Sequence, residues 1–170
     1  MSRNFYSAII RNWAADPEVL KVYARHYKTG EPIPQELIDK LENSGHFNQG
    51  FVTTEFMAAA LLDMAYHTRN TTDPVNPNEF EKATLEKIGL IPEITVRYRS
   101  PYFQHIFAGG YSSGYYAYTW AEVLDADAFE AFKETGDIFN PEKAKAFREN
   151  ILSKGASEDA KLTAPNAPSK

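Results

Sequence analysis

The segment Tyr102-Phe103-Gln104-His105-Ile106-Phe107-Ala108-Gly109-Gly110-Tyr111-Ser112-Ser113-Gly114-Tyr115-Tyr116-Ala117-Tyr118 gathers the residue types with the most chemistry in this chain. Adjacent glycines let the backbone take positive φ or pass close to a bound chain. Tyrosine hydroxyls donate hydrogen bonds to a peptide carbonyl or to a developing oxyanion. Spacings of four and three put Tyr111, Tyr115 and Tyr118 on one face of a helix, where they can converge. The same periodicity describes an aromatic helix packed in a core, with His105 an ordinary interior or surface histidine. The residues alone leave both readings open.

The elements that must carry this segment read as helices. Asp16 before Pro17 and Glu18 is a cap followed by proline at the first helical position, and Val19, Leu20, Val22, Tyr23 and Tyr27 recur at helical spacing up to Thr29-Gly30. Pro34 opens a short helix through Leu37, Ile38 and Leu41 to Ser44-Gly45. Thr53 and Thr54 are cap candidates for an alanine-rich helix from Glu55 to Thr68, apolar around most of its circumference. The prolines and asparagines of residues 70–78 mark a surface connection, and a shorter helix through Phe80, Leu85 and Ile88 ends at Gly89. Residues 93–99 read as a linker or one short extended segment, the linker being favoured. A long helix is expected from Tyr111 to Glu134, and another from Asn140-Pro141 through Ile151 and Leu152 to Gly155. The expectation is an all-α domain of about seven helices over residues 1–155, with residues 156–170 a fraying tail.

Composition sets bounds. With 43% hydrophobic and 14% aromatic residues in 170, the chain has the apolar material for a core. Its charge of -5 and lack of a basic run argue against nucleic acid. Without cysteine, it has neither disulfides nor thiolate metal sites. No apolar run approaches a membrane span and no signal pattern precedes Ala15, so the expected location is cytoplasmic.

The stretch His105-Ile106-Phe107, Gly109-Gly110-Tyr111, Gly114-Tyr115-Tyr116 and Tyr118, followed by Trp120, Glu122 and Asp125, resembles the signature of the peptidyl-dipeptidase and oligopeptidase branch of the thimet-oligopeptidase family of zinc metallopeptidases. Asn12-Trp13-Ala14, Tyr23-Ala24-Arg25-His26-Tyr27, Phe47-Asn48-Gln49-Gly50-Phe51, Ala59-Ala60-Leu61-Leu62-Asp63-Met64, Arg97-Tyr98-Arg99-Ser100 and Ile151-Leu152-Ser153-Lys154-Gly155 extend it in order. The resemblance implies that this segment faces a zinc across a channel. There its histidine and tyrosines bind the substrate backbone and stabilise the tetrahedral intermediate. The implied positions are His105, Tyr111 and Tyr118, with Gly109 and Gly110 shaping the loop and Tyr115 or Tyr116 contributing.

Hydrolysis in such a family needs His-Glu-x-x-His, two histidines a turn apart on zinc with a glutamate to activate water, and a further glutamate ligand. This sequence has no His-Glu-x-x-His, and His26, His46, His67 and His105 are scattered. Asp63 and His67 share a helix face, which reads as a surface or capping pair more readily than as a metal site. Aligned by the resemblance, the further ligand falls on Asn4, with Tyr6 and Ala8 in place of the family's proline and glutamine. The expectation is a substrate-binding portion without a zinc site of its own, inactive alone. Its partners would be short peptides, bound weakly, and a zinc-bearing complementary chain or a second copy. The alternative is an independent helical interaction domain.

Overall fold

A computed structural model describes residues 2–155 and 157, with burial assigned from Ala8 onward. Among the described residues the protein is all-α, with eight α-helices, one 3-10 turn, one π-helical turn and no strand. Residues 93–99 form bends and turns, in keeping with a linker. No helix among the described residues is long and apolar enough to cross a membrane.

The chain divides into two compact units, residues 1–38 with 118–170, and residues 39–117. The first contains α1 (Ser2–Ala15), α2 (Pro17–Tyr23), α7 (Ala117–Lys133) from its second residue on, and α8 (Pro141–Phe147), which runs on as a π-helical turn, Arg148–Leu152. The second holds α4 (Gln49–His67), α5 (Pro77–Lys87), a 3-10 turn at Ser100–Tyr102 and the short α6 (Gln104–Phe107). Between them in sequence, α3 (Gln35–Ser44) contributes Ile38, which is fully buried.

Three helices begin with the same device. The Asp16 carboxylate accepts the Glu18 N–H at 2.8 Å, Asn76 accepts from Asn78 and Glu79, and Asn140 accepts from Glu142 and Lys143, each followed by proline at the first helical position. The side-chain oxygen satisfies amides that the helix leaves orphaned, and proline has no amide to orphan.

Among the helix boundaries that differ from the sequence expectation are those of α2 and α4. Helix α2 stops at Tyr23, and the chain turns back so that Arg25 bridges Pro32. Thr29 and Gly30 close a tight turn there, with the Gly30 N–H on the His26 carbonyl at 2.8 Å. The apolar spacing up to Tyr27 had suggested a longer helix, but Tyr27 is 84% exposed and its ring meets only its neighbours His26 and Lys28 among the described contacts. Helix α4 starts at Gln49, before the Thr53 and Thr54 cap candidates, from Asn48 in the left-handed region (φ 56°). Asparagine tolerates that conformation better than most residues.

In the first unit Ile9 and Ala121 pack with Trp13, Ala128, Phe147 and Ile151. Trp13 meets Phe129 and Phe132 edge-on, with centroids 4.8 and 4.9 Å away. Its indole N–H donates to the Ile138 carbonyl at 2.8 Å. In the second unit Ala58, Leu62 and Val96 form a core with Tyr66, Phe80, Leu85 and Leu90 around it.

Candidate functional site

The aromatic-glycine segment lies in the second unit up to Ala117. Short helix α6 presents His105, and the chain then doubles back on it. The Tyr111 N–H returns to the His105 carbonyl at 3.0 Å, and the Ser112 hydroxyl donates to the Ile106 carbonyl. Gly109 makes that turn possible. A Cβ on it would sit 2.8 Å from the His105 Cα and 2.9 Å from its carbonyl oxygen, closer than backbone atoms allow. Gly110 follows at φ +81°, the left-handed region that glycine enters at little cost.

Residues 111–116 are turns, so the expected helix starts at Ala117, six residues later than Tyr111. Tyr111, Tyr115 and Tyr118 therefore do not share a helix face. Asp63 on α4 provides the reason. Its carboxylate, with no exposed surface, accepts the Ser113 N–H at 3.0 Å and the Tyr115 N–H at 2.9 Å. Ser113 stands at φ 55°, which for a residue other than glycine costs on the order of 1 kcal/mol. Charged hydrogen bonds of about 1.5–3 kcal/mol each are enough to hold it there.

His67, one turn along α4, completes this centre. Its Nδ1 lies 2.8 Å from an Asp63 carboxylate oxygen and 2.9 Å from the Asp63 carbonyl, where one N–H serves both. His67 thus makes a capping-type contact in the last turn of α4, while Asp63, read from the sequence as half of a surface or capping pair, is a buried anchor for the loop. One signal pointed to it, a lone carboxylate following the apolar run Ala58-Ala59-Ala60-Leu61-Leu62. A charge placed there must find hydrogen-bond donors to fold at all.

Tyr115 is buried among aromatic rings. It stacks on Phe56 at 5.3 Å and meets Phe103 and His105 edge-on at 5.0 and 5.9 Å. Burial pushes its hydroxyl up to about 12, with Tyr98 adding to the rise and Arg97 opposing it. The folded state holds the neutral phenol to higher pH than the unfolded chain, whose phenol ionises near 10.0. That stability is intact below pH 10 and is lost as pH rises towards 12. Urea midpoints should therefore drop over that window, and Tyr115→Phe should flatten the drop relative to the unchanged chain.

His105 and Tyr111 are half-exposed neighbours with ring centroids 6.0 Å apart. Tyr98 lies against His105 at 4.8 Å and stacks on Phe103 at 5.2 Å. Tyr116 is exposed, and Tyr118 is half-buried as the second residue of α7, in the first unit. The second unit thus brings together His105, Gly109, Gly110, Tyr111 and Tyr115, with His105 and Tyr111 partly exposed. Such a face can donate to, or accept from, the backbone of an extended peptide.

A second buried carboxylate holds the turn at Ser100, away from the loop of residues 109–116. Glu81 on α5, 3% exposed, accepts the Ser100 N–H at 2.6 Å and pairs with Arg99. In the first unit, burial pushes the Asp125 carboxyl on α7 above the usual carboxylate range, with nearby Asn12 and Arg11 opposing the rise.

Zinc, which the resemblance implies for the family, does not fit the described residues. They bring no three metal-ligating side chains together. The nearest pair, Asp63 and His67, is spent on itself and on two loop amides. The Asn4 position, where the family's further ligand would fall, has a side chain outside the described residues.

An all-α chain with a glycine-turned, tyrosine-rich loop after a histidine agrees with the fold that the resemblance to zinc metallopeptidases implies. The chain belongs to peptidase family M3, whose model matches residues 4–167. It is 43% identical over 157 residues to a dipeptidyl carboxypeptidase of Escherichia coli, covering 91% of this chain and 23% of that protein. It is 39% identical over 154 residues to oligopeptidase A of the same organism, covering 90% and 22%. Saccharolysin of Saccharomyces cerevisiae is 31% identical over 156 residues, with 90% and 22% covered. The chain spans less than a quarter of the length of these relatives.

Proposed function

We propose that this chain is the peptide-binding side of a zinc peptidyl-dipeptidase-type metallopeptidase, holding the substrate backbone while a zinc-bearing segment hydrolyses it. The observation that carries the reading is the half-exposed pair of His105 and Tyr111 at the mouth of a loop that Gly109 turns and Asp63 fastens. The family membership and the names of the relatives support it. In this reading His105 and Tyr111 hydrogen-bond the peptide backbone, and Tyr118 offers its hydroxyl to the oxyanion. Tyr115 supports His105 from beneath. A donor aimed at the oxyanion lowers the barrier, but water activation needs the His-Glu-x-x-His that these residues do not contain.

Two measurements test it. The purified chain, with and without added zinc, should release no dipeptide from a blocked oligopeptide and should retain no stoichiometric zinc; turnover with bound zinc would sink the reading. The same chain should bind N-acetyl-tetraalanine weakly, and Tyr111→Phe or Tyr118→Phe should weaken that binding by roughly two- to tenfold, the worth of one neutral hydrogen bond. Unchanged affinity in both variants would exclude these hydroxyls from peptide binding.

A second reading, a helical association module, draws on exposed apolar side chains in each unit, Tyr27 at 84% and Phe47 at 83% among them. It requires a solution mass that grows with concentration.

A further inference from the structure

We infer that Asp63 is a positioning residue for the peptide-binding loop, a buried carboxylate whose hydrogen bonds to the Ser113 and Tyr115 amides set the loop in its binding shape. The inference rests on the proposed peptide-binding role of His105 and Tyr111, and the amide bonds themselves are testable without it.

Three observations on independent residues converge on Asp63. The carboxylate is completely enclosed on the apolar helix α4, where an ion is tolerated only when its oxygens are hydrogen-bonded. Its two oxygens divide between two loop amides, Oδ1 to Ser113 and Oδ2 to Tyr115, so together they define the path of residues 113–115. Ser113 holds a left-handed conformation that a free loop would leave, and it does so where its own amide meets the carboxylate. At the other end of the loop, the Tyr111 amide is pinned to the His105 carbonyl. Tyr111 is therefore held between a fixed point on α6 and a fixed point on α4.

This arrangement couples position to charge. If the loop lifts, the carboxylate loses two donors and is left with His67 alone in an apolar setting. The loop thus closes against an ion that has nowhere else to be solvated. His67 contacts Oδ1, the oxygen that also accepts from Ser113, which leaves Oδ2 for Tyr115. The Glu81 carboxylate is equally buried in the same unit but fastens Ser100 and Arg99, not the loop. It provides the comparison that separates positioning from general stability.

The experiment uses the full chain, amide hydrogen exchange and titration with N-acetyl-tetraalanine. In the unchanged protein, the Ser113 and Tyr115 amides should exchange as slowly as those of α4. Asp63→Asn keeps the size of the side chain but turns an NH2 group toward one of the two amides. It should remove the protection of at least one of them and weaken peptide binding tenfold or more. Glu81→Gln should lower the melting temperature and leave both the two amides and the peptide affinity within twofold of the unchanged chain. Asp63→Asn with both amides still protected, or with undiminished affinity, would overturn the inference. So would an equal loss of affinity in Glu81→Gln. Should Asp63→Asn fail to fold, exchange in the unchanged protein decides, since Ser113 and Tyr115 amides exchanging at the rate of exposed turns would also overturn it. If the unchanged chain binds no peptide, the proposed function fails, and the amide protection alone decides whether Asp63 sets the loop.

Discussion

Gly109→Ala should abolish peptide binding by the second unit while leaving its helices folded. The added methyl would meet the His105 Cα at 2.8 Å, its carbonyl oxygen at 2.9 Å and its carbonyl carbon at 3.2 Å, and all three are backbone atoms. No rotamer change relieves such a contact, so either the turn opens or α6 shifts. Either movement separates His105 from Tyr111, whose amide bonds to the same His105 carbonyl that the methyl would strike. The stability cost should be about 1–3 kcal/mol, in the range for overpacking. The affinity for N-acetyl-tetraalanine should fall below detection. Gly110→Ala serves as a graded comparison. It has open space around the new methyl but a φ of +81°, so the cost is conformational, about 1–2 kcal/mol, with the contact to His105 preserved. Equal binding by Gly109→Ala and the unchanged chain would mean that the turn is not part of the peptide-binding face.

Trp13→Ala should produce the largest loss of stability in the first unit, about 3 kcal/mol, at the lower end for removal of a large aromatic because the ring is only half-buried. Three contributions vanish together, two edge-on contacts with Phe129 and Phe132 on α7 and the indole hydrogen bond that pins Ile138 beyond the end of that helix. Each edge-on pair contributes about 0.5–1.5 kcal/mol beyond its buried area. Trp13→Phe should recover part of the ring packing and none of the hydrogen bond, giving an intermediate loss. Chemical denaturation followed by circular dichroism measures both. A loss below about 1 kcal/mol for Trp13→Ala would show that α1 does not depend on this contact to stay packed on α7.

Much of the helical framework was legible before any coordinates. Proline after a capping Asp or Asn marked the starts of α2 and α8, because that pairing acts within four residues and needs nothing from the rest of the fold, whereas the same pairing at Asn76-Pro77 starts α5 inside the stretch read as a surface connection. The resemblance carried by His105, Gly109-Gly110-Tyr111 and Tyr118 pointed to the family that the comparisons then showed. Boundaries set by long-range contacts were not legible. The spacing of Tyr111, Tyr115 and Tyr118 suggested a continuous helix, and nothing in residues 111–118 revealed that two amides in the middle would be claimed by a carboxylate on another helix.

The sequence by itself determined the all-α class, the family and the absence of a His-Glu-x-x-His segment within these residues. All of these follow from local chemistry or from order along the chain. Only the tertiary structure decided that Asp63 is a buried anchor with His67 beside it, that Tyr115 lies within the core against His105, and that His105 and Tyr111 remain half-exposed neighbours. The physical reason is separation along the chain. Asp63 lies 50 residues from Ser113 and 52 from Tyr115, and a hydrogen bond over such a distance exists only once the loop that carries its partners has packed on α4.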